Sequence, residues 1–155
     1  MANDISEYRE RYNAFMYMMS QKGLPVAQNW VYRGVNHVIE IGEWCSKILK
    51  WSERPTAFLC TNDFAALGIL RGAINSGIGV PGQLSIIGFD DIESAQIVTP
   101  SLTTVRVPKS DIGRVSVREL LAALKDGERP EGSPQCRVRL TPTLVVREST
   151  SAVCK

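Results

Sequence analysis

Two short apolar runs, each ended by a pair of polar residues, constrain the fold of this chain more than any other feature. Residues 56–61 stop at Asn62-Asp63, and residues 84–89 stop at Asp90-Asp91. Between them, residues 63–76 carry apolar side chains at helical spacing. A strand–helix–strand unit with a connection of this length forms a right-handed parallel crossover, so both strands end at the same edge of one sheet. The sequence therefore predicts an α/β fold with both polar pairs at that edge.

Residues 77–82 read G-I-G-V-P-G and match the pattern G-x-G-x-x-G, which in a nucleotide enzyme forms a dinucleotide-binding turn. That turn must follow a strand and open a helix, so that helix N–H groups face the phosphates. Here the order is reversed, because the glycines follow a helix and precede a strand. We expect Gly77 to end the helix in the left-handed conformation and Pro81-Gly82 to form the turn, with no cofactor bound.

Helical and strand patterns alternate along the whole chain. The spacing of apolar residues predicts helices over residues 6–21, 39–51, 63–76 and 110–125. The aromatic stripe of the first helix, Tyr8, Tyr12, Phe15 and Met19, is expected to be core. Short apolar runs predict strands over residues 30–33, 56–61, 84–89, 102–107 and 143–146, with a linker rich in Gly, Pro and Glu over residues 126–135.

Composition is that of one soluble domain. The 155 residues include 18 basic and 16 acidic side chains and are 44% apolar, which gives no reason to expect binding to nucleic acid or a membrane surface. No apolar stretch reaches 18 residues and the first residues are polar, so the chain as given is expected to be neither exported nor anchored. The four cysteines form no C-x-x-C pair, which favours reduced thiols and a cytoplasmic location.

His37 is the only histidine, so metal sites and catalytic triads that need histidine are disfavoured, although a carboxylate-only magnesium site stays open. Asp90-Asp91 as a catalytic acid pair is also disfavoured, because adjacent strand residues point to opposite faces. These observations disfavour histidine-dependent metal sites and a catalytic acid pair.

Three stretches resemble the effector-binding core of LacI/GalR-family transcription regulators. They are PTAFLCTNDFAALGILRGAINSGIGVPGQLSIIGFDDIE, PSLTTVRVPKSDIGR and LVVREST, in that order, and the similarity runs from about Tyr8 to Thr150. The resemblance implies a periplasmic-binding-protein-like type I fold, in which two Rossmann-like, three-layer α/β/α parallel-sheet subdomains are hinged around a sugar, nucleobase or other small metabolite.

The resemblance also implies a domain organisation. Residues 1–102 correspond to the second subdomain, residues 103–127 to a strand and helix that return to the first subdomain, and residues 128–155 to a linker, a final strand and a tail. The family's helix-turn-helix, through which alone it binds DNA, and its first subdomain have no counterpart here. Residues 103–125 would then expose an apolar helix face, so we expect them to fold back or to pair with a second copy in a homodimer.

Four residues match positions where the family contacts its effector: Arg11 in R-x-x-A-F, Asn62, Asp90, and His37. His37 stands five residues before Gly42, where the family often has a Trp or Phe that stacks on the ligand. Carboxylate, amide and guanidinium groups suit a polyhydroxylated or heteroaromatic ligand. Each residue has a simpler alternative. Asn62 could cap a helix, Asp90 or Asp91 could be a turn residue, Arg11 a surface charge and His37 a loop residue. Asp63 is assigned to the helix cap.

The function implied is the effector-sensing portion of a DNA-binding transcription regulator. Its small metabolite, sugar or nucleoside-like, would control operator affinity by changing the hinge angle between subdomains. The resemblance to this family also implies a binding protein with no metal, no cofactor and no catalytic residue, and not an enzyme. Two alternatives stay open from the sequence: a sugar-binding component of a transporter, and a nucleotide-dependent α/β enzyme.

Overall fold

The computed structural model of the chain describes residues 6–34, 37–125 and 137–152. Its helices are α1 (Ser6–Gln21), α2 (Val38–Ile48), α3 (Asp63–Asn75), α4 (Ser94–Ile97) and α5 (Lys109–Lys125), with one 3-10 turn at Gln28–Trp30. Its strands are β1 (Ala57–Leu59), β2 (Ser85–Ile87), β3 (Thr104–Arg106) and β4 (Thr143–Val145). The predicted linker over 126–135 and part of the loop before α2 lie outside the described residues.

The predicted parallel crossover is confirmed. β1 pairs with β2 in parallel, with Phe58 opposite Ile86. β3 continues this sheet through two isolated bridges, one from Ile87 to Thr103 and one from Asp90 to Arg106. β3 also pairs with β4, in antiparallel orientation. Two later parts of the chain therefore lie beside β2, namely β3 and the segment after β4.

The core lies between the β1–β2 pair and the helices α2 and α3, which pack closely on each other. Gly42 and Gly72 stand at the helix crossing, where a Cβ on Gly72 would lie 2.5 Å from the carbonyl oxygen of Gly42. Cys45 and Cys60 are buried here as free thiols that act as small apolar groups. Burial raises the pKa of the Cys45 thiol to about 12, so it is protonated at neutral pH.

Three local predictions were wrong. Residues 30–33 form no strand, because Trp30 ends the 3-10 turn and the ladder recorded for β1 within the described residues is with β2. α2 stops at Ile48, so Trp51 lies beyond it and is exposed. Ile74 belongs to the apolar pattern that predicts α3 but is exposed, because the alanines of this helix, including Ala66 and Ala73, face the core instead.

Both ends of α3 are built from short-range hydrogen bonds. At its start, the Asn62 side chain accepts a hydrogen bond of 2.8 Å from the backbone N–H of Ala65, so Asn62 is the cap. The assignment of Asp63 to the cap was therefore wrong. At the end, Gly77 has φ +68 and the N–H of Ile78 bonds back to Ala73, which is the glycine helix stop that the sequence predicted.

Asp63 is instead a fully buried cross-link between three segments. Its Oδ1 accepts a hydrogen bond of 2.5 Å from Thr104 in β3. Its Oδ2 accepts one of 2.9 Å from the backbone N–H of Ile92. Gly88 passes so close that a Cβ there would overlap Asp63 Oδ1. A buried carboxyl group needs such partners, and these partners fix β3 and the chain after β2 against the start of α3.

Asp91 makes a second cross-link close by. Its Oδ2 lies 2.5 Å from Arg106 Nε and its Oδ1 lies 2.6 Å from Arg147 NH2. The Asp91 side chain is 4% exposed and that of Arg147 13%, whereas Arg106 is 56% exposed. One shielded carboxylate therefore holds β3 and the segment after β4 to the end of β2.

Residues 147–151 are held along β2 mainly by polar contacts. Ser149 Oγ donates to the carbonyl of Ile86 at 2.6 Å and accepts from the N–H of Thr103 at 2.8 Å. The backbone N–H of Ile86 donates to the carbonyl of Ser149 at 2.8 Å. These bonds satisfy groups that would otherwise be buried without partners, so the final segment is an integral part of the fold.

The apolar face of α5 is exposed, as the sequence analysis expected for a helix without its usual neighbour. Four large apolar side chains of this helix have large exposed fractions: Ile112, Leu120, Leu121 and Leu124. α5 therefore does not fold back onto the core. None of the helices in the described ranges is long and apolar enough to cross a membrane.

Replacing Gly88 by alanine should destabilise the fold by about 2–4 kcal/mol, because the added methyl group overlaps a fully buried, hydrogen-bonded carboxyl group. Urea unfolding followed by circular dichroism measures this change. Gly82→Ala is the matched control, since a Cβ at Gly82 meets no atom within 4 Å. Equal unfolding free energies for the two variants would contradict this packing.

Asp91→Asn should lower the free energy of unfolding by about 2 kcal/mol at neutral pH, because it leaves the guanidinium of Arg147 without its anion. Asparagine adopts positive φ as readily as aspartate, so the backbone is not perturbed.

The same interaction makes stability depend on pH. Burial alone would raise the pKa of the Asp91 carboxyl, but the hydrogen bonds and charges of Arg106 and Arg147 outweigh burial and lower it below 3.8. Because the folded pKa is the lower one, this stabilisation is complete above the unfolded pKa and is lost as pH falls below about 4. The stability difference between wild type and Asp91→Asn should therefore shrink in acid. A difference that stays constant from pH 7 to about pH 3 would rule out this linkage.

Candidate functional site

The candidate site lies where β1 and β2 end. Two hydrogen bonds continue the pairing beyond the strands, from the N–H of Cys60 to the carbonyl of Ile87 at 2.9 Å and from the N–H of Asp63 to the carbonyl of Phe89 at 2.8 Å. They bring residues 61–63 alongside residues 89–91. In open α/β sheets this edge is where ligands bind, because polar groups of neighbouring loops converge there.

Arg11 reaches this edge from α1. Its NH1 donates a hydrogen bond of 2.6 Å to the carbonyl oxygen of Thr61. Its guanidinium lies 3.9 Å from the centre of the Phe89 ring and 5.8 Å from that of Tyr8. The cation–π contact and the hydrogen bond hold the guanidinium against Thr61 and Phe89. These two residues directly precede Asn62 and Asp90 in the sequence. Arg11 is therefore a partly buried, anchored group and not the free surface charge that was the alternative.

Asn62 is buried, with 7% of its surface exposed. Its side-chain oxygen caps α3, as the simpler alternative held. For its Nδ2 group, the described residues provide no hydrogen-bond acceptor. The amide can therefore donate to a ligand at the same time as its oxygen caps the helix.

Asp90 has a backbone conformation that is rare for residues other than glycine. Its φ is 111° and that of Asp91 is 50°. The N–H of Asp90 donates to the carbonyl of Val105 at 2.9 Å, so β3 fixes the strained residue in place. Such strain costs about 1–3 kcal/mol and is concentrated at functional sites. A turn role alone does not require a carboxylate at this φ, since glycine would fit better.

Asp91 differs from its neighbour because its carboxylate is saturated by Arg106 and Arg147. The lowered pKa of this carboxyl, which those arginines cause against the opposing effect of burial, keeps it ionised at neutral pH. A carboxylate held between two guanidinium groups is a poor proton donor. The arrangement thus disfavours an Asp90-Asp91 acid pair, for a stronger reason than strand alternation.

His37 is not brought into this group. It is exposed and precedes the first residue of α2, and its backbone carbonyl accepts the N–H of Ile41. Among the described residues its side chain has no recorded contact with Arg11, Asn62 or Asp90. Its role as a ligand-stacking residue therefore stays a prediction, without a contact to support it.

The polar groups at this edge are suited to hydrogen bonding. Three or more His, Cys, Asp or Glu side chains placed to hold a metal ion occur nowhere in the described part of the chain. What the edge offers is an anchored guanidinium, a carboxylate and an amide N–H₂ group. Together they can donate to and accept from a polar ring or several hydroxyl groups.

Sequence reasoning missed the residues that support this edge. Asp63, Asp91, Arg106 and Arg147 make its cross-links. Arg147 lies 56 residues from Asp91. Local spacing cannot predict a contact of that range, and the positions of both arginines in the quoted motifs indicated no partner.

Comparison with known proteins gives a family and a fold. The model of the periplasmic binding protein-like domain family matches residues 2–150. The HTH-type transcriptional repressor PurR of Haemophilus influenzae is 34% identical over 146 residues, which is 94% of this chain and 43% of that repressor. PurR of Actinobacillus pleuropneumoniae is 35% identical over 141 residues, 91% of this chain and 41% of the repressor. The chain thus spans less than half the length of these curated relatives.

Solved structures agree with this match. A regulatory protein of the LacI family from Chloroflexus aggregans is 31% identical with a TM-score of 0.78, over 92% of this chain and 50% of that one. A LacI family transcriptional regulator from Lactobacillus casei, solved with bound sucrose, has a TM-score of 0.79 over 92% of this chain and 51% of that one. At 24% identity it supports the fold alone. The chain therefore belongs to the family of periplasmic binding protein-like domains and corresponds to part of the effector-binding domain of LacI/GalR-type transcription regulators.

Proposed function

We propose that this chain is the effector-sensing portion of a DNA-binding transcription regulator and that it binds a small metabolite, either a sugar or a nucleoside-like compound. Arg11, Asn62 and Asp90 would make the polar contacts. The observation that supports the proposal is the contact of the Arg11 guanidinium with Thr61 and Phe89, the residues that precede Asn62 and Asp90 at the carboxyl edge of β1 and β2, with Asp90 held at φ 111°. His37 is a weaker candidate for stacking on the ligand.

The proposed mechanism is linkage between ligand binding and the angle of a hinge. The site would be one wall of a cleft, because the relatives are about twice as long as the matched region. A ligand that contacts both walls favours one hinge angle by its difference in affinity for the two states. That angle would set the affinity of the whole regulator for its operator, through a helix-turn-helix that has no counterpart in these 155 residues.

Residues 103–127, described as far as Lys125, fit the role of a strand and helix that belong with another body. The chain passes from β3 into α5 and returns with β4, which pairs with β3. The exposed apolar face of α5 needs a cover. We propose that this cover is the first subdomain in a protein as long as the relatives.

The two alternatives are less favoured. The curated relatives are repressors and not transport components or nucleotide-dependent enzymes. The G-x-G-x-x-G letters form a helix stop at Gly77 and a turn, so no helix N-terminus faces a phosphate there. We therefore propose a binding function without catalysis and, as for other regulators of DNA, a cytoplasmic location.

A homodimer is proposed on the evidence of an apolar groove on the outer side of α3. The groove has a volume of about 390 Å³ and is lined by Val38, Leu67, Leu70, Ile74, Val98 and neighbouring polar atoms. Phe64 and Ile97 are also exposed, and both lie on the elements that border the groove. Apolar side chains in such numbers mark an interface more often than a free surface.

A thermal-shift screen tests the proposed function and separates it from both alternatives. Compounds that bind the folded chain raise its melting temperature, and at equal concentration a tighter-binding compound gives the larger rise. We expect a shift with at least one compound in a panel of monosaccharides, disaccharides, purine bases and nucleosides. Stabilisation by NAD or ATP alone would contradict the proposal and favour the enzyme.

For the panel compound that stabilises the wild type, Asp90→Asn should weaken binding about 30- to 100-fold, because a charge-assisted pair of hydrogen bonds is lost. Isothermal titration calorimetry measures this change. Glu93→Gln is the matched control, since it removes an exposed carboxylate only three residues away. Unchanged affinity in Asp90→Asn would remove Asp90 from the site.

Asp90→Gly should leave the free energy of unfolding unchanged or raise it by up to about 1 kcal/mol. Glycine adopts φ 111° without steric strain, which offsets the loss of the side-chain contacts of Asp90. Chemical denaturation measures this value. A loss above about 2 kcal/mol would mean that Asp90 is kept for stability and not for binding.

Ile74→Glu and Leu120→Glu distinguish the groove beside α3 from the face of α5 as the dimer surface. Each side chain is 59% exposed, so neither change should affect folding. We expect Ile74→Glu to raise the dissociation constant of the dimer at least tenfold, because a charge enters an apolar contact. Sedimentation equilibrium measures this constant. Dissociation by Leu120→Glu alone would place the contact on α5.

A further inference from the structure

The contacts of Asp91 suggest a role beyond stability. Asp91 follows directly on Asp90, the proposed ligand-binding carboxylate. We define the arm as β3, α5 and β4. Asp91 also forms ion pairs at both ends of this arm. Arg106 belongs to β3, and Arg147 lies two residues beyond β4.

Arg147 is itself held firmly. Its NH1 donates a hydrogen bond of 2.8 Å to the carbonyl of Leu102, and its backbone N–H donates one of 2.9 Å to Thr103 Oγ1. Its second guanidinium nitrogen is the one that reaches Asp91. The guanidinium therefore has a fixed position relative to the strand that enters the arm, and it imposes that position on Asp91.

The backbone of Asp90 and Asp91 is strained and is held from several sides. Both residues have positive φ. The N–H of Asp90 bonds to Val105 in β3, and the N–H of Ile92 bonds to the buried carboxyl of Asp63. Strained backbone persists only where surrounding contacts over-determine it. The ion pairs of Asp91 are the contacts in this set that connect the strained pair to both ends of the arm.

We propose that Asp91 is a positioning residue, which holds Asp90 in its strained conformation and couples the ligand-binding edge to the arm through Arg106 and Arg147. A shift of β3 moves Arg106, and a shift of the segment after β4 moves Arg147. Either shift moves Asp91 and, with it, the carboxylate of the adjacent Asp90. By reciprocity, a ligand that pulls on Asp90 acts on both ends of the arm. The inference rests on the proposed function only in treating Asp90 as a ligand contact.

The test uses the 155-residue chain without ligand, so it does not depend on identifying the effector. In ¹⁵N-labelled protein, the three-bond coupling between the amide proton and Hα of Asp90 reports its φ. It is small at φ 111° and large in extended backbone. We expect Asp91→Asn to raise this coupling. Hydrogen exchange of the amides of Gly88 and Asp90, which donate to Thr103 and Val105, should become at least tenfold faster.

Amides of α3 serve as the internal reference, because they report opening of the core. Under conditions in which the variant stays folded, the exchange rates of these α3 amides should change far less than that of the Asp90 amide. Glu148→Gln is the control variant. Glu148 accepts two hydrogen bonds from Ser101 at the same end of the arm, whereas Asp91 is held by Arg106 and Arg147, so the Asp90 coupling should stay at its wild-type value.

A normal Asp90 coupling in folded Asp91→Asn would overturn the proposal, even if the arm loosens, because Asp91 would then be a structural residue only. If that variant does not fold, Arg106→Gln decides between the same outcomes, since it removes the exposed arginine and leaves Arg147 paired. Failure of the ligand screen would refute the proposed function but would leave the result on Asp90 conformation standing.

Discussion

The buried carboxyl group of Asp63 is the contact on which the carboxyl edge of β1 and β2, the proposed ligand site, depends. It lies at the start of α3, beneath Gly88, and accepts hydrogen bonds from Thr104 and from the N–H of Ile92. A carboxyl group without access to water must be satisfied by the protein, so its partners cannot move away without a large loss of free energy. The strand ends, the turn after β2 and the start of β3 therefore form one rigid unit.

On this unit the two adjacent aspartates have different surroundings and, we infer, different tasks. The Asp91 side chain is paired with two arginines and is shielded from solvent, whereas Asp90 follows Phe89, on whose ring the anchored guanidinium of Arg11 lies. Their positive φ values make this division possible, because the chain leaves the strand conformation between them and the rule of alternating faces no longer applies. A binding group is thus placed next to its own support.

Two apolar surfaces of the described chain have no cover: the groove beside α3 and the face of α5. They differ in what surrounds them. The groove lies on the packed core of α2 and α3 and is as fixed as that core. α5 belongs to an arm that is held to the sheet mainly through polar contacts at its two ends. A rigid surface suits a constant partner such as a second copy, and an arm held at its ends suits a part that moves on a hinge.

The sequence by itself determined the helices α1, α3 and α5 to within a residue or two, the parallel β1–β2 pair, the glycine stop at Gly77 and the edge where the polar residues gather. Periodicity, capping and glycine conformation are local properties, so they can be read from neighbouring letters. Only the tertiary structure decided which side chains that edge uses. It gave the cap to Asn62, the buried cross-link to Asp63 and the arginine pair to Asp91, and it left residues 30–33 without a strand. Those outcomes depend on contacts across as many as 56 residues, such as Arg147 with Asp91, and the free energy of such contacts is set by burial and geometry that no short stretch of sequence contains.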